Sequence, residues 1–105
     1  MAIMPAAVTR QSEIQQGLAE VQQGLKPDVV FIHYDIRPDW DGDRAIYFRI
    51  LLTDEAAEQR LNEIATNVVR RLANRFDFLA LGLIPYHKFS SVSEQAAVRR
   101  ADAWL

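Results

Sequence analysis

A chain of 105 residues, half of them hydrophobic and a quarter charged, has the size and composition of one globular domain. No apolar run approaches the roughly 18 residues that a bilayer span needs, and the N-terminus lacks a basic leader, so we expect a cytoplasmic protein without membrane association. The lack of cysteine excludes disulfides, thiolate metal ligands and a cysteine nucleophile. A formal charge of −2 gives no general attraction to RNA or DNA, so nucleic-acid binding requires a local basic patch.

The first predicted element is a helix that follows ten residues expected to be flexible. Ser12 and Gln15 fit a capping box at its start. Gly24 and Pro27 mark its end, and Gly17 lies inside it at a cost of about 1 kcal/mol relative to alanine. Four apolar residues recur at helical spacing and predict the buried stripe: Ile14, Leu18, Val21 and Leu25.

Two segments rich in β-branched and aromatic residues, 28–37 and 44–53, predict a β-hairpin around the turn signal Asp41-Gly42. The even-numbered residues of both strands are the more uniformly apolar, so we expect them to face the helices. A two-residue loop would send these two apolar sets to opposite faces, so the numbers of paired residues must add up to an even number. This requires a three-residue loop or a bulge near residues 40–43, and a sum of 84 places Asp35 opposite Arg49.

A broad apolar stripe from Leu61 to Phe76 predicts a long second helix, which Thr53 or Asp54 can cap. Three arginines fall in its last turns: Arg70, Arg71 and Arg75. Cations there suit the helix dipole on a solvated face. The alternative is a phosphate-binding patch.

The pattern then changes, and residues 86–89 predict a short third strand at the sheet edge, where the nearby Pro85 is tolerated. Ser91 and Glu94 form a second capping box for a short C-terminal helix. The predicted fold is a single α+β domain over residues 1–105. Its order is helix, strand, strand, helix, short strand and helix, with an antiparallel sheet covered by helices on one face.

Three aspartates crowd the hairpin turn: Asp39, Asp41 and Asp43. Carboxylates at this spacing can hold a divalent cation, but aspartate also favours turns through local hydrogen bonds. The other positions of a calcium loop are missing. We therefore predict no metal site and no cofactor.

His33 and His87 are the two histidines, and they lie on different predicted strands. Adjacent strands can bring them together, and Asp35 can orient one of them as a general base requires. Because no nucleophile is arranged beside them, the pattern favours structural or interface histidines over an enzyme.

The odd-numbered face of the hairpin is more apolar than a solvated sheet face should be. Its residues are of types that are enriched where proteins associate, and such residues can also stack on RNA bases. A third possibility is that the C-terminal segment folds over this face and buries it. We predict a partner-binding surface, including a homodimer interface, formed by Phe31, His33, Tyr47, Arg49 and Leu51.

The order of the elements, with a proline-containing strand ahead of several serines and Glu94, resembles the KH-related arrangement of ribosome-binding factor A. This resemblance covers most of the chain. It implies binding to structured RNA, for which the candidate residues are Arg70, Arg71 and Arg75 together with the sheet aromatics.

Two segments, RPDWDGDRAIYFRILLTDEA and PYHKFSSVSEQA, are similar to a group of small bacterial proteins encoded just before a HEPN-domain protein in toxin–antitoxin-like pairs. The similarity spans about residues 28–97. Because HEPN proteins are often ribonucleases, the resemblance implies an antitoxin-like partner that holds such a ribonuclease inactive. The predicted function is therefore a non-catalytic interaction protein, with RNA binding as the alternative.

Overall fold

The computed structural model describes residues 11–103, with side-chain surroundings described for residues 11–99. The predicted flexibility of residues 1–10 lies outside this range. The predicted α+β class and the order of the main elements are confirmed. In chain order the elements are α1 (Gln11–Gly24), β1 (Val29–Pro38), β2 (Arg44–Leu52), α2 (Asp54–Gln59), α3 (Leu61–Arg75), α4 (Phe78–Leu81), β3 (Ile84–Ser91) and α5 (Val92–Ala103). No helix in the described part of the chain has both the length and the apolarity that a membrane span needs.

The three strands form one sheet in the order β1-β2-β3. β1 and β2 are antiparallel, as predicted, whereas β2 and β3 are parallel, so the sheet is mixed. The parallel pair follows from the connection, because the helices between β2 and β3 carry the chain back to the end of the sheet where β2 begins. β3 lies at the edge, as predicted, and extends over eight residues.

The predicted even sum of paired residue numbers in the hairpin is confirmed, with Ile32 opposite Ile50. The specific sum of 84 is wrong, because the pairs add up to 82 and Asp35 lies opposite Tyr47 instead of Arg49. The three-residue loop is centred one residue earlier than that sum requires, and a hydrogen bond from the backbone N–H of Asp39 to the carbonyl of Asp43 closes it (2.7 Å).

A bulge at the start of β1 modifies the expected alternation. The pairing shifts between Val29 and Phe31, and Val29 pairs with Leu52. As a result Val29 is buried, whereas Val30, which was expected on the helix-covered face, is 42% exposed. The extra residue of a bulge turns the side chains that precede it to the opposite face.

The core lies between the sheet and the two longer helices. The predicted stripe of α1 is buried in it, and so are the apolar even-numbered residues of β2. The broad stripe predicted for α3 is buried only in part, because Leu61 is 43% and Val69 38% exposed. The largest contributors to the core are Ile14, Leu18, Val21, Ile46, Phe48, Ile50, Leu52, Ile64, Val68 and Leu72.

The predicted long second helix is divided at Arg60, which adopts a non-helical backbone (φ −140°, ψ 29°). Its guanidinium donates two hydrogen bonds to the Asp28 carboxylate (3.0 and 2.6 Å) and one to Glu55 (3.1 Å). Thr53 caps the shorter helix α2, because its hydroxyl accepts a hydrogen bond from the backbone N–H of Ala56 (3.2 Å). The paired Arg60 thus ties the break between α2 and α3 to the residue that precedes β1.

Two hydrogen-bonding groups set the start of α5. The Ser91 hydroxyl accepts from the backbone N–H of Glu94 (3.1 Å), in agreement with the predicted cap. The Asp54 carboxylate accepts from both the hydroxyl and the backbone N–H of Ser93, and these bonds lower the pKa of Asp54. The first turn of α5 is therefore bound to the first turn of α2.

A side chain of α1 reaches the outer edge of β1. The backbone N–H of Ile32 donates to Oε1 of Gln22 (3.1 Å), and Nε2 of Gln22 donates to the carbonyl of Val30 (3.4 Å). The amide of Gln22 thus pairs with two backbone groups of β1 that point away from β2.

Gly17 is buried where α1 crosses the end of α3. A Cβ at this position would lie 2.6 and 2.7 Å from Cζ and Cε1 of Phe76. Gly17→Ala should gain about 1 kcal/mol of helix propensity but lose about 1–3 kcal/mol to overpacking. We expect a net fall in the free energy of unfolding, measured by urea denaturation.

Gly24→Ala is the matched control at the end of the same helix. The nearest obstacle to a Cβ there is the terminal Nη1 of Arg71, at the flexible end of its side chain. We expect the free energy of unfolding to stay the same or rise. Equal or greater stability of Gly17→Ala than of Gly24→Ala would contradict the contact described for Phe76.

Candidate functional site: the open face of the sheet

The sheet has a second face, opposite the core, which we call the open face. Strand pairing arranges its side chains in rows that cross all three strands. We name three of these rows by their chemistry. They are the apolar row (Phe31, Leu51 and Ser90), the basic row (His33, Arg49 and Lys88) and the tyrosine row (Asp35, Tyr47 and Tyr86).

All five residues predicted to bind a partner lie on the open face. Phe31 is 50% exposed, His33 and Arg49 are exposed, and Tyr47 and Leu51 are partly buried. Sequence reasoning missed Tyr86 and Lys88, because their place beside β2 depends on the parallel pairing of β3. The alternating pattern of β3 indicates that Tyr86 and Lys88 share a face, but it does not indicate which strand lies beside them.

Helix α5 borders this face at one end. Gln95 and Arg99 line a shallow depression of about 120 Å³ together with members of the apolar and basic rows. The C-terminal segment therefore flanks the open face and leaves Phe31 half exposed. The described part of this segment does not bury the whole face, since Phe31 stays half exposed and the first turn of α5 is bound to Asp54.

The tyrosine row is preorganised by stacking. The rings of Tyr47 and Tyr86 are stacked with centroids 5.0 Å apart, and the guanidinium carbon of Arg37 lies 3.9 Å from the centroid of the Tyr47 ring. Arg37 also pairs with Asp35 (3.1 Å). Tyr86 donates its hydroxyl hydrogen to the Asp39 carboxylate (2.9 Å), which raises the pKa of Tyr86. Both faces of the Tyr47 ring are therefore covered.

The basic row has no such internal compensation. His33 is opposite Arg49, and Arg49 is opposite Lys88, so these side chains extend from neighbouring strands about 4.8 Å apart. Within residues 11–99, neither Arg49 nor Lys88 has an ion-pair partner. Like charges placed side by side on a sheet cost stability, so this row creates local positive potential on a chain of net negative charge.

The basic and tyrosine rows line a groove of about 290 Å³ that crosses the middle of the open face. Three cationic side chains, two imidazoles and two phenols line it together with one carboxylate, that of Asp35, which pairs with Arg37. Cationic groups outnumber the carboxylate, so the groove suits an anionic group.

The aspartate cluster lies in the hairpin loop beyond this groove. Carboxylate oxygens of Asp39, Asp41 and Asp43 lie within 4.8 Å of one another. Asp39 accepts hydrogen bonds from the backbone N–H groups of Asp41 (3.0 Å) and Asp43 (2.9 Å), besides the one from Tyr86. This buried carboxylate therefore organises the loop and connects it to β3.

The two histidines are not brought together. His33 lies on the open face of β1, whereas His87 lies on β3 and stacks its ring on Phe48 of the core face (centroids 5.5 Å apart). β2 separates the two strands, so the possibility that neighbouring strands bring His33 and His87 together is not realised.

The three arginines proposed for RNA binding lie on α3, which packs on the core face of the sheet. Arg75 pairs with Glu20 (2.8 Å), and Arg70 donates a hydrogen bond to Asn67 (2.8 Å). Together with Arg71 they are therefore on the opposite side of the sheet from the open-face aromatics. The fold does not combine these two sets of residues into one site.

Comparisons with protein-family models, with curated proteins and with solved structures found no match to this chain. The open face is the part of the described molecule in which exposed aromatic, apolar and cationic groups meet.

His87 makes folding sensitive to pH. Its Nε2 is buried and has no hydrogen-bond partner among the described residues, and burial lowers the pKa of His87 below its usual 6.5. The unfolded chain therefore takes up a proton at a higher pH than the folded chain does. Stability is fully present above about pH 6.5 and is lost as the pH falls from there towards the folded-state pKa.

We expect His87→Phe to reduce the loss of stability between about pH 7.5 and pH 5.5, measured from thermal unfolding midpoints. Phenylalanine keeps the stacking on Phe48 but takes up no proton. The unmodified chain, measured over the same pH range, is the reference. An unchanged pH profile in His87→Phe would contradict the assignment.

Proposed function

We propose that this chain is a non-catalytic, antitoxin-like interaction protein that holds a HEPN-type ribonuclease inactive by binding it through the open face. The observation that carries the proposal is the half-exposed Phe31 beside Leu51, next to a basic row and a stacked tyrosine row. The similarity of residues 28–97 to proteins encoded beside HEPN proteins supports the kind of partner.

The chemistry of the open face favours a protein as its partner. Stable interfaces combine an apolar centre with aromatic residues and arginine, and a polar rim surrounds them. Phe31 and Leu51 provide the apolar part, Tyr47 and Arg49 are of the enriched types, and Arg99 lies at the border with α5. A partner that covers all three rows would bury the exposed part of Phe31.

Inhibition by occlusion requires affinity and shape from this chain, and no reacting group. A standard interface buries about 800 Å² on each partner. The residues of α5 that flank the three rows, Gln95 and Arg99, extend the area that this chain offers. The rigid sheet presents the rows without the entropic cost of ordering a loop. The chain is therefore suited to hold a partner in one orientation.

Co-expression with the product of the adjacent gene tests the proposal. We expect a stable complex in size-exclusion chromatography, and suppression of any growth arrest that the neighbouring protein causes alone. Separate elution of two folded proteins would contradict the proposed function.

Phe31→Asp should weaken that complex, because it places a charge where the partner would bury an aromatic ring. Since Phe31 is half exposed, the fold should tolerate the substitution. Leu79→Asp is the matched control: Leu79 is 92% exposed on α4, outside the three rows. We expect at least a tenfold loss of affinity, about 1.4 kcal/mol, for Phe31→Asp and no loss for Leu79→Asp, measured by titration calorimetry.

A further inference from the structure

We infer that the segment bound by the open face is acidic, with carboxylates of a protein partner lying across the basic row. This inference rests on the proposed function and deepens it by naming the chemistry of the partner's contact. It follows from the placement of Arg49 and Lys88, which no sequence motif indicates.

The charge balance of the sheet leaves two neighbouring cations without an acidic partner. Arg37 is also on the open face, but Asp35 pairs with it, and Arg60 and Arg75 are likewise paired elsewhere. Arg49 and Lys88 are instead next to each other on adjacent strands, with no acidic partner in the described part of the chain. An anion between them removes the repulsion and gains two charge-assisted hydrogen bonds.

The rows on either side of the basic row differ in chemistry. Along a strand, residues two apart are about 6.8 Å apart, so Phe31 and Leu51 lie one row away from the cations and the tyrosine hydroxyls one row away in the other direction. A ligand that fits must carry carboxylates beside an apolar side chain. An amphipathic acidic segment of a protein has both.

A protein carboxylate and a nucleic-acid phosphate make different demands on the aromatic residues of the face. Proteins that bind single strands offer several free aromatic faces on which successive bases stack. The Tyr47 ring is stacked on Tyr86 and has the Arg37 guanidinium over it, which leaves Phe31 as the strongly exposed aromatic ring of the three rows. The net charge of −2 also opposes the approach of a polyanion as long as RNA. The observations therefore favour an acidic protein segment.

The probe for the test is a synthetic amphipathic helical peptide with a row of glutamates beside a row of leucines. The comparison probes are the same peptide with glutamine in place of glutamate, and a single-stranded RNA oligonucleotide of similar length. Fluorescence anisotropy at low salt and at about 0.15 M salt measures the affinities. We expect binding of the acidic peptide that weakens with salt, and binding at least tenfold weaker for the other two probes.

The decisive variant is Arg49→Gln with Lys88→Gln, which removes two charges from exposed positions of the basic row. The matched control is Arg70→Gln with Arg71→Gln, which removes two charges from α3, on the other side of the sheet from the open face. We expect the first pair to reduce affinity for the acidic peptide at least tenfold and the second to leave it within twofold. Equal losses in both double variants, or tighter binding of RNA than of the acidic peptide, would overturn the inference.

The same two double variants, measured against the co-expressed partner, separate the inference from the proposed function. A complex that forms and is insensitive to Arg49→Gln with Lys88→Gln would overturn the acidic contact and leave the interaction function standing. Failure of any complex to form would overturn the proposed function. The peptide titration would then still test whether the open face binds acidic segments.

Discussion

The pairing of β1 with β2 is the constraint on which the rest of the molecule depends. Because the paired residue numbers add up to an even number, the apolar sets of both strands face the same side, and helices α1 and α3 cover them. A slip of one residue would turn Phe48 and Ile50 outwards and bring Arg49 into the core. The three-residue loop held by Asp39 fixes that pairing at its closed end.

The same register determines the surface on the other side. Once the even-numbered residues are buried, the odd-numbered ones must share the opposite face, and β3 adds its own side chains to each row. The stacking of Tyr86 on Tyr47 and its hydrogen bond to Asp39 connect β3 to the hairpin loop. The open face is therefore assembled by the same contacts that fix the sheet, and the stacked tyrosine row is held in place before any partner binds.

The features predicted from the sequence were those that depend on local periodicity. The stripes of α1 and α3, the alternation of the hairpin and the caps at Thr53 and Ser91 are all set by residues close in the chain. The break at Arg60 was not predictable, because its partner Asp28 lies 32 residues earlier.

Only the part of the candidate surface that depends on local periodicity was predicted. Its hairpin members follow from alternation alone. Its β3 members follow from a parallel pairing across three helices, and a wholly antiparallel sheet would have placed other residues beside Arg49. The basic row therefore became visible only once the long-range register was known.

The contact of Gln22 with β1 has a consequence for how these molecules behave at high concentration. An uncovered edge strand offers its unpaired N–H and C=O groups to another chain, and edge-to-edge aggregation begins there. The Gln22 amide forms hydrogen bonds with one N–H and one carbonyl of the edge strand β1. At the other edge of the sheet, Pro85 gives β3 one backbone N–H donor fewer. Each edge of the sheet therefore offers fewer backbone groups for pairing with another molecule, and the open face can stay available for specific recognition.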